Sequence, residues 1–315
     1  MLRTFSRNFS ALALVCIGCG CATFGSQAPL TGAPIELTAT PFYPQTEFMC
    51  GPSALATALH RTHVDVTPAQ LAEQVYLPER QGSLQLELVA ATRRHERLAV
   101  QIPPESRAVV DELAAGRPVL VMQNLGVAWL PFWHYAVVIG YDSDTDSFVL
   151  RSGTTERLIV RRSRFERTWA RADKWAIVIL EPGELPQSLD SATYAEAVAG
   201  LESVGSTESA LQAYRTGLAR WPTDDLLLLG YGNALYGSGA IDLAALAYRN
   251  LLSVHPDNLP GLNNLAHTLN ELGCREKALA VIARAPKVVD GPFAGALAET
   301  RQTITASPQS SCRLN

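Results

Sequence analysis

One cysteine in the sequence stands where a predicted helix begins. Cys50 directly precedes Gly51-Pro52 and a run of good helix formers, and proline suits the first turn of a helix because the N–H that it lacks has no partner there. The positive end of a helix stabilises a thiolate, which is the nucleophilic form of cysteine. Gln45, slightly upstream, could point its amide N–H at a developing oxyanion. The alternative interpretation is a packing cysteine on the apolar face of residues 54–59.

A histidine at the head of an apolar strand could act as the base for that thiol. His134 opens an uninterrupted apolar run that ends at Gly140-Tyr141-Asp142, which predicts a buried strand entering a turn. Such a strand would hold the imidazole rigidly. A cysteine on a helix start and a histidine on a strand are the nucleophile and base that thiol chemistry requires.

Taken together, these motifs resemble a known family of peptidases. Gln45, the Cys50-Gly51 helix start and the His134-Tyr135 strand follow one another as in papain-like bacterial peptidases related to the double-glycine leader peptidases, the C39 peptidase family. The resemblance covers residues 38–182 and implies an α+β papain-like cysteine peptidase domain that acts on a peptide or protein substrate. It implies that Cys50 is the nucleophile, His134 the general base and acid, and Gln45 an oxyanion donor. No cofactor is expected.

The chain departs from this family at the group that orients the imidazole. Papain-like enzymes place an Asn or Asp on the next strand, whereas this sequence has Ser152 there. We expect Ser152 to accept the imidazole N–H, although a hydroxyl stabilises imidazolium less than a carboxylate does. Asp142, on the intervening turn, is the alternative orienting residue, and its other interpretation is simple turn chemistry. Asn124, after an earlier predicted strand, is a further amide considered for orienting the imidazole.

The N-terminus predicts export and a lipid tether. Residues 1–21 combine arginines, a short apolar run at 11–17 and clustered cysteines, which is typical of a signal peptide with a lipobox. Either Cys21 or Cys19 would be lipidated; an ordinary cleaved signal with incidental cysteines is the alternative. Residues 22–37 are rich in small residues and proline and predict a linker. We therefore expect an exported, periplasmic protein that is lipid-anchored to a membrane, the outer membrane in preference to the inner one.

A repeat of 34 residues predicts a second domain over residues 191–290. Alanine recurs at positions 210, 244 and 278, and leucine at positions 201, 235 and 269. The pattern resembles three tetratricopeptide repeats, and this resemblance implies stacked helix pairs with a concave groove for a protein partner. The fold prediction is therefore the α+β peptidase domain followed by an all-α tetratricopeptide-repeat solenoid. A linker at 183–190 and a C-terminal helix and tail at 291–315 complete the chain.

Cysteine usage fits an oxidising compartment. Cys274 and Cys312 are close in sequence and are the disulfide candidate, which leaves Cys50 as the unpaired thiol. The spacing of cysteines and histidines does not suggest a metal site.

Composition is that of a globular protein of two domains. The 315-residue chain has 47% hydrophobic residues, 18% charged residues and a net charge of −4, and so gives no reason to expect nucleic acid as a partner. A cluster of arginines between Arg157 and Arg171 predicts an amphipathic helix with a solvated face, with an anion site as the alternative.

Two classes of function follow from the sequence. The first is a membrane-tethered thiol hydrolase, a cysteine peptidase whose repeats recruit a protein partner or substrate. The second is a catalytically weak or inactive papain-like domain in a protein-binding scaffold lipoprotein, which the missing carboxylate favours. Acyl or amide transfer by the same thiol is a lesser alternative.

Overall fold

The structure is a computed structural model that describes residues 30–188, 190–286, 291, 293–308 and 311–313. The predicted signal segment 1–21, with the lipidation candidates Cys19 and Cys21, and residues 22–29 of the predicted linker lie outside these described residues.

A seven-stranded antiparallel sheet organises the N-terminal domain. Its strands are β1 (Ile35–Glu36), β2 (Leu98–Gln101), β3 (Val119–Asn124), β4 (Trp133–Asp142), β5 (Ser147–Ser152), β6 (Thr155–Arg161) and β7 (Ala176–Leu180). The order across the sheet is β2-β7-β3-β4-β5-β6, and β1 pairs with β4. Strand β4 is thus central, and it is buried from His134 to Tyr141.

Alternation along the strands builds a separate apolar core on each face of the sheet. Val119 and Val121 face one core while Leu120 between them faces the other, because successive side chains of a strand point to opposite faces. Helices cover both faces, which explains why central strands such as β4 and β7 are apolar over most of their length. These elements are α1 (Cys50–His60), α2 (Pro68–Val75), a 3₁₀ turn (Pro78–Arg80) and α3 (Gln85–Arg94) on or beside one face, and α4 (Ser106–Ala114) and α5 (Arg162–Ala170) on the other.

Local sequence signals explain where some of these helices begin. Thr67 caps α2, since its side chain accepts a hydrogen bond from the backbone N–H of Gln70 and Pro68 follows in the first turn. Ser83 does not cap the next helix, because Leu84 is the N-cap of α3 and no side chain caps it. Ser83 is used elsewhere, beside the nucleophile helix.

The arginine cluster is not one amphipathic helix. Arg157 and Arg161 lie on β6, and α5 begins only at Arg162. Arg162 is buried and pairs with Asp146, with 2.7 Å between Nε and Oδ1. The predicted amphipathic helix therefore covers only the second half of the arginine cluster, from Arg162 onward.

The C-terminal region is helical. Its helices are α6 (Ser191–Glu202), α7 (Thr207–Arg220), α8 (Asp225–Gly237), α9 (Ile241–Val254), α10 (Leu259–Glu271), α11 (Arg275–Ile282) and α12 (Phe293–Ala306). The starts of α6, α8 and α10 are 34 residues apart, as are those of α7, α9 and α11. No helix among the described residues is both long and apolar enough to cross a membrane.

Two further features recur with the same spacing. The N-caps Asp190, Asp224 and Asn258 each accept a hydrogen bond from a backbone N–H in the first turn. The turns within each helix pair contain Gly205, Gly239 and Gly273, with φ of 86°, 81° and 78°, a conformation that only glycine adopts without strain. The 34-residue period is therefore present in the helix caps and turns as well as in the apolar packing residues.

A cavity of about 380 Å³ lies against the inner helices of the last two pairs. Asn233 lines it and accepts hydrogen bonds from the hydroxyl of Tyr248 at 2.8 Å and from Nδ2 of Asn264 at 2.9 Å. The buried Oδ1 of Asn263, also in the lining, has no hydrogen-bond partner among the described residues. An unpartnered buried acceptor is costly to the folded state.

Helix α6 joins the helical region to the sheet. Its residues Tyr194, Val198 and Leu201 belong to the same buried cluster as Leu98 and Val100 of β2. The two parts of the chain therefore share one core.

The predicted linker at 183–190 is also held in place. The carboxylate of Glu184 accepts hydrogen bonds from both terminal nitrogens of Arg61, at the end of α1. The backbone N–H of Gln187 donates to Oε1 of the buried Glu112 at 2.6 Å, and Arg117 pairs with the other oxygen at 2.6 Å. These contacts fix the helical region relative to the sheet.

The C-terminal end is closed by α12 and by a disulfide between Cys274 and Cys312. Leu297 and Ile304 of α12 pack into the core of the last helix pairs. Cys50 is the free cysteine of the described residues.

We predict that Ala244→Trp lowers the free energy of unfolding by about 1–3 kcal/mol or more, because overpacking a close helix contact forces its neighbours apart. Ala244 on α9 is fully buried in the core of the helical region. The control is Leu243→Trp at the adjacent exposed position. Equal thermal melting temperatures for the two variants would contradict a close packing of helix pairs at Ala244.

Candidate active site

The helix of the nucleophile begins where the sequence predicts. Cys50 is the first residue of α1, and the preceding loop passes through Phe48 with φ of 64°, a strained conformation for a non-glycine residue. Gly51 is needed for packing, since a side chain there would lie 2.7 Å from Cβ of Ser83. The Cys-Gly pair thus lets the segment before α3 approach the helix start.

Burial and backbone hydrogen bonds act in opposite directions on the thiol. Burial raises the pKa of Cys50, and hydrogen bonding from the backbones of Tyr135, Gly51 and Cys50 itself only partly offsets this rise. Burial therefore opposes the stabilisation of a thiolate that the sequence leads us to expect at this helix start. The local N–H groups are present, but desolvation is the larger effect.

Gln45 lies next to the same stretch of β4. Its Nε2 donates a hydrogen bond to the carbonyl oxygen of Tyr135 at 3.3 Å, and its backbone N–H donates to the carbonyl of Gly153 at 3.0 Å. An amide nitrogen carries two protons, so one N–H of Gln45 is left for another acceptor near the thiol.

Ser152 contacts the imidazole of His134. His134 is the first buried residue of β4, Ser152 is the last residue of β5, and 2.8 Å separates Nε2 from the Ser152 Oγ. This contact occupies Nε2 and leaves Nδ1 as the other ring nitrogen that could take a proton. Burial lowers the pKa of His134, so the ring is neutral near pH 7 and can accept a proton.

Tyr135 links the two halves of the site and was missed by sequence reasoning. Its backbone contacts Cys50 and Gln45, and its hydroxyl donates a hydrogen bond to the carbonyl of Ser83 at 3.2 Å. The residue after the base therefore fixes both the thiol and the segment that packs on Gly51. The only signal in the sequence was its place beside His134.

Arg151 is a second residue that sequence reasoning missed. It is buried on β5 beside Ser152 and donates hydrogen bonds to the carbonyls of Thr40, at 2.9 Å, and Glu156, at 2.7 Å. These bonds hold the segment that leads to Gln45 against β5. A lone arginine within an apolar strand was the available signal.

Two other candidates lie away from the imidazole. Asp142 is at the opposite end of β4, roughly 26 Å from His134 at the ~3.3 Å rise per strand residue, and its carboxylate accepts hydrogen bonds from the turn residues Asp144 and Thr145. The alternative assignment of Asp142 as the orienting residue is therefore wrong. Asn124 uses its Oδ1 to accept the backbone N–H groups of Gly126 and Phe132, both at 3.0 Å.

The described residues contain no group of three or more His, Cys, Asp or Glu side chains that could hold a metal ion. The chemistry available here is that of a buried thiol, a neutral imidazole and amide donors.

Comparison with known proteins shows what this domain is similar to. Residues 37–177 match the model of the Peptidase_C39 like family. The matched stretch is similar to C39-like peptidases and forms an α+β domain on an antiparallel sheet, which a helical region follows. The chain is also 32% identical over 117 residues to the protein FlbA of Caulobacter vibrioides, a match that covers 37% of this chain and 19% of FlbA. The chain thus spans about a fifth of that relative.

Solved structures with detectable similarity also include C39-type domains. A putative C39-like peptidase from Bacillus anthracis matches with a TM-score of 0.40 and 18% identity, over 50% of this chain and 100% of that one. The peptidase domain of Streptococcus ComA, a bifunctional ABC transporter in a quorum-sensing pathway, matches with a TM-score of 0.36 and 20% identity, over 45% of this chain and 98% of that one.

The rate of Cys50 alkylation by iodoacetamide should rise with pH through and beyond ~8.5, the ordinary thiol pKa. The reason is that burial raises the pKa of the thiol, so the reactive thiolate forms only at high pH. The rate is measured across pH 5 to 10, with Cys50→Ala as the control for other reactions. A rate that is independent of pH between about 5 and 8 would instead indicate a thiolate–imidazolium ion pair.

Ser152→Ala should slow Cys50-dependent chemistry, because the imidazole of His134 loses the hydrogen bond that fixes its ring. General-base catalysis contributes ~10²–10⁴-fold, so misorientation should remove a measurable part of that range. Ser152→Asn should retain the rate, since an amide oxygen also accepts the ring N–H. Unchanged thermal melting excludes unfolding as the cause, and a parent-like rate for Ser152→Ala would mean that Ser152 only ends the strand.

Proposed function

We propose that the C39-like domain is a cysteine peptidase, with Cys50 as nucleophile and His134 as general base and acid. The observation that carries this proposal is the 2.8 Å contact of His134 Nε2 with Ser152, because it holds the ring and leaves Nδ1 for the thiol. The match of residues 37–177 to the Peptidase_C39 like family supports the same chemistry.

In the proposed mechanism the thiol is activated during the attack. Since both the thiol and the imidazole are neutral, Nδ1 of His134 takes the proton of Cys50 as Sγ bonds to the carbonyl carbon of the peptide. The carbonyl oxygen becomes an oxyanion. The free N–H of the Gln45 amide and the backbone N–H of Cys50, at the start of α1, stabilise that charge.

The second half of the proposed reaction returns the site to its starting state. The imidazolium of His134 gives its proton to the leaving amine as the C–N bond breaks, and an acyl-thioester on Cys50 remains. Water then attacks the thioester carbonyl while His134 accepts a proton from it, and the thiol leaves with that proton. Ser152 stabilises the imidazolium through Nε2, less strongly than a carboxylate would.

The helical region is proposed to be a tetratricopeptide-repeat solenoid that recruits a protein partner or substrate. Helix pairs with a spacing of 34 residues and turn glycines at that spacing support the repeat assignment. The cavity lined by Asn233, Asn263 and Asn264 supports recruitment, since asparagine side chains can hydrogen-bond an extended peptide backbone. Binding of a partner that is lost on Asn233→Leu would test the role of this cavity.

The protein is further proposed to be exported and held at a membrane by a lipid on Cys21 or Cys19. The support is the sequence of residues 1–21 together with the disulfide of Cys274 and Cys312, which an oxidising compartment favours. Incorporation of labelled palmitate that persists after loss of both N-terminal cysteines would contradict the anchor.

A second candidate function is a binding scaffold with little or no peptidase activity. It is favoured by one observation, the serine in place of a carboxylate or amide beside His134. Acyl or amide transfer would use the same thioester with an amine in place of water.

The deciding experiment is cleavage of a diverse peptide library by the full chain, read by mass spectrometry. Cleavage should be abolished by Cys50→Ala and reduced ~10²–10⁴-fold by His134→Gln, because general-base catalysis is lost. His60→Gln, at an exposed histidine at the end of α1, is the matched control and should cleave as the parent does. No cleavage by a parent chain whose Cys50 reacts with iodoacetamide would favour the scaffold.

A further inference from the structure

The loop between β3 and β4 is an apolar hairpin that extends away from the sheet. Together with Trp133, the first residue of β4, it spans residues 125–133, Leu-Gly-Val-Ala-Trp-Leu-Pro-Phe-Trp, and contains neither a charged nor a hydrogen-bonding side chain other than the two indoles. Trp129, at its tip, is 83% exposed. The other exposed large apolar side chains of this apolar hairpin are Leu125, Val127, Leu130, Phe132 and Trp133.

The exposed apolar side chains lie on both faces of the hairpin. Neighbouring residues of an extended strand point to opposite faces, and both Phe132 and Trp133 are exposed. Apolar side chains on both faces fit an apolar environment that surrounds the tip of the hairpin.

The backbone of the hairpin is largely satisfied from within. The N–H of Leu125 donates to the carbonyl of Phe132 at 2.8 Å, and Val127 and Leu130 donate to each other's carbonyls at 3.1 and 3.2 Å. The Asn124 side chain accepts the N–H groups of Gly126 and Phe132, and Pro131 has none. Internal pairing of this kind is what a peptide segment needs where water is scarce.

Basic residues lie at the base of the hairpin. The guanidinium of Arg171 donates hydrogen bonds to the carbonyl of Asn124, at 3.2 and 2.8 Å, and Gln123 of β3 donates to Thr168 of α5 at 2.6 Å. Exposed Arg164 and Arg167 precede Arg171 at three- and four-residue spacing, which puts them on one side of α5 and its end.

The acidic groups nearby do not cancel this charge. Glu166 accepts hydrogen bonds from Ser106 and Arg162, and exposed Asp173 is followed directly by Lys174. The base of the hairpin therefore presents positive charge beside an apolar tip.

We propose that the apolar hairpin inserts into the interface of a lipid bilayer that contains anionic phospholipids. Its tryptophans and phenylalanine would lie at the level where aromatic rings prefer to be, between headgroups and acyl chains. The arginines of α5 would then meet the anionic headgroups, where basic residues are attracted. Since Trp133 adjoins His134, this contact would turn the thiol site toward the membrane surface.

The test measures direct contact between the hairpin and acyl chains. The full chain is reconstituted into vesicles of phosphatidylcholine and phosphatidylglycerol with brominated acyl chains, which quench tryptophans that touch them. Trp169 and Trp175 are buried, and Trp221 is partly buried against Tyr194 in the helical region, so Trp129 and Trp133 are the expected reporters. We expect strong quenching in the parent, and weaker quenching when phosphatidylglycerol is omitted.

Variants assign the signal to the hairpin. Trp129→Phe should lose part of the quenching because one reporter is removed while the apolar tip is kept. Leu130→Asp should lose most of it, because a charge at the tip is expelled from the acyl region. Leu246→Asp, at a comparably exposed leucine on α9, is the matched control and should be quenched as the parent is.

Three outcomes would overturn the proposal. The first is the absence of quenching in the parent, and the second is equal loss of quenching in Leu130→Asp and Leu246→Asp. The third is a parent dimer in sedimentation that Leu130→Asp converts to a monomer without any quenching in vesicles, which would assign the hairpin to a second copy of the chain.

Discussion

A buried strand requires partners for the backbone groups on both of its edges, and β4 depends on this constraint along its whole length. On one edge it pairs with β3 from Asn124–Trp133 onward, but the β5 ladder begins only at the Val137–Arg151 pair. The backbone of Tyr135 lies beyond that pair and has no partner on β5. Gln45 and Cys50 hydrogen-bond to it instead, so the groups proposed for catalysis also complete the hydrogen bonding of the central strand.

The same burial sets the electrostatics of the site. Desolvation disfavours charge on any group, and it therefore raises the pKa of Cys50 and lowers that of His134. While the thiol and the imidazole are neutral, the first requirement on the orienting group is to fix the geometry of the ring. The second requirement, to compensate positive charge, arises only when the imidazolium forms. A serine hydroxyl at Nε2 meets the first requirement well and the second less well.

Local patterns in the sequence predicted the elements, and long-range pairing decided the contacts. The helix start at Cys50 and the strand of His134 could be inferred because proline position and apolar runs are local signals. The contact of Ser152 with His134 followed from strand order. The prediction of Asp142 as the orienting residue failed because β4 is long, so that Asp142 and His134 lie far apart at its two ends. The role of Tyr135 and the resting state of the thiol depend on burial by distant segments, which neighbours in sequence do not reveal.

Helix α6 belongs both to the repeat-like helical region and to the core beneath β2. Because one set of side chains packs in both places, the helical region and the thiol are held at a set separation and orientation. If the helical region recruits the substrate as proposed, that substrate reaches Cys50 only with a segment at a suitable distance along its own chain. The cleavage site would then be set by its distance along the substrate chain from the docking segment, and would depend less on the residues that flank the scissile bond.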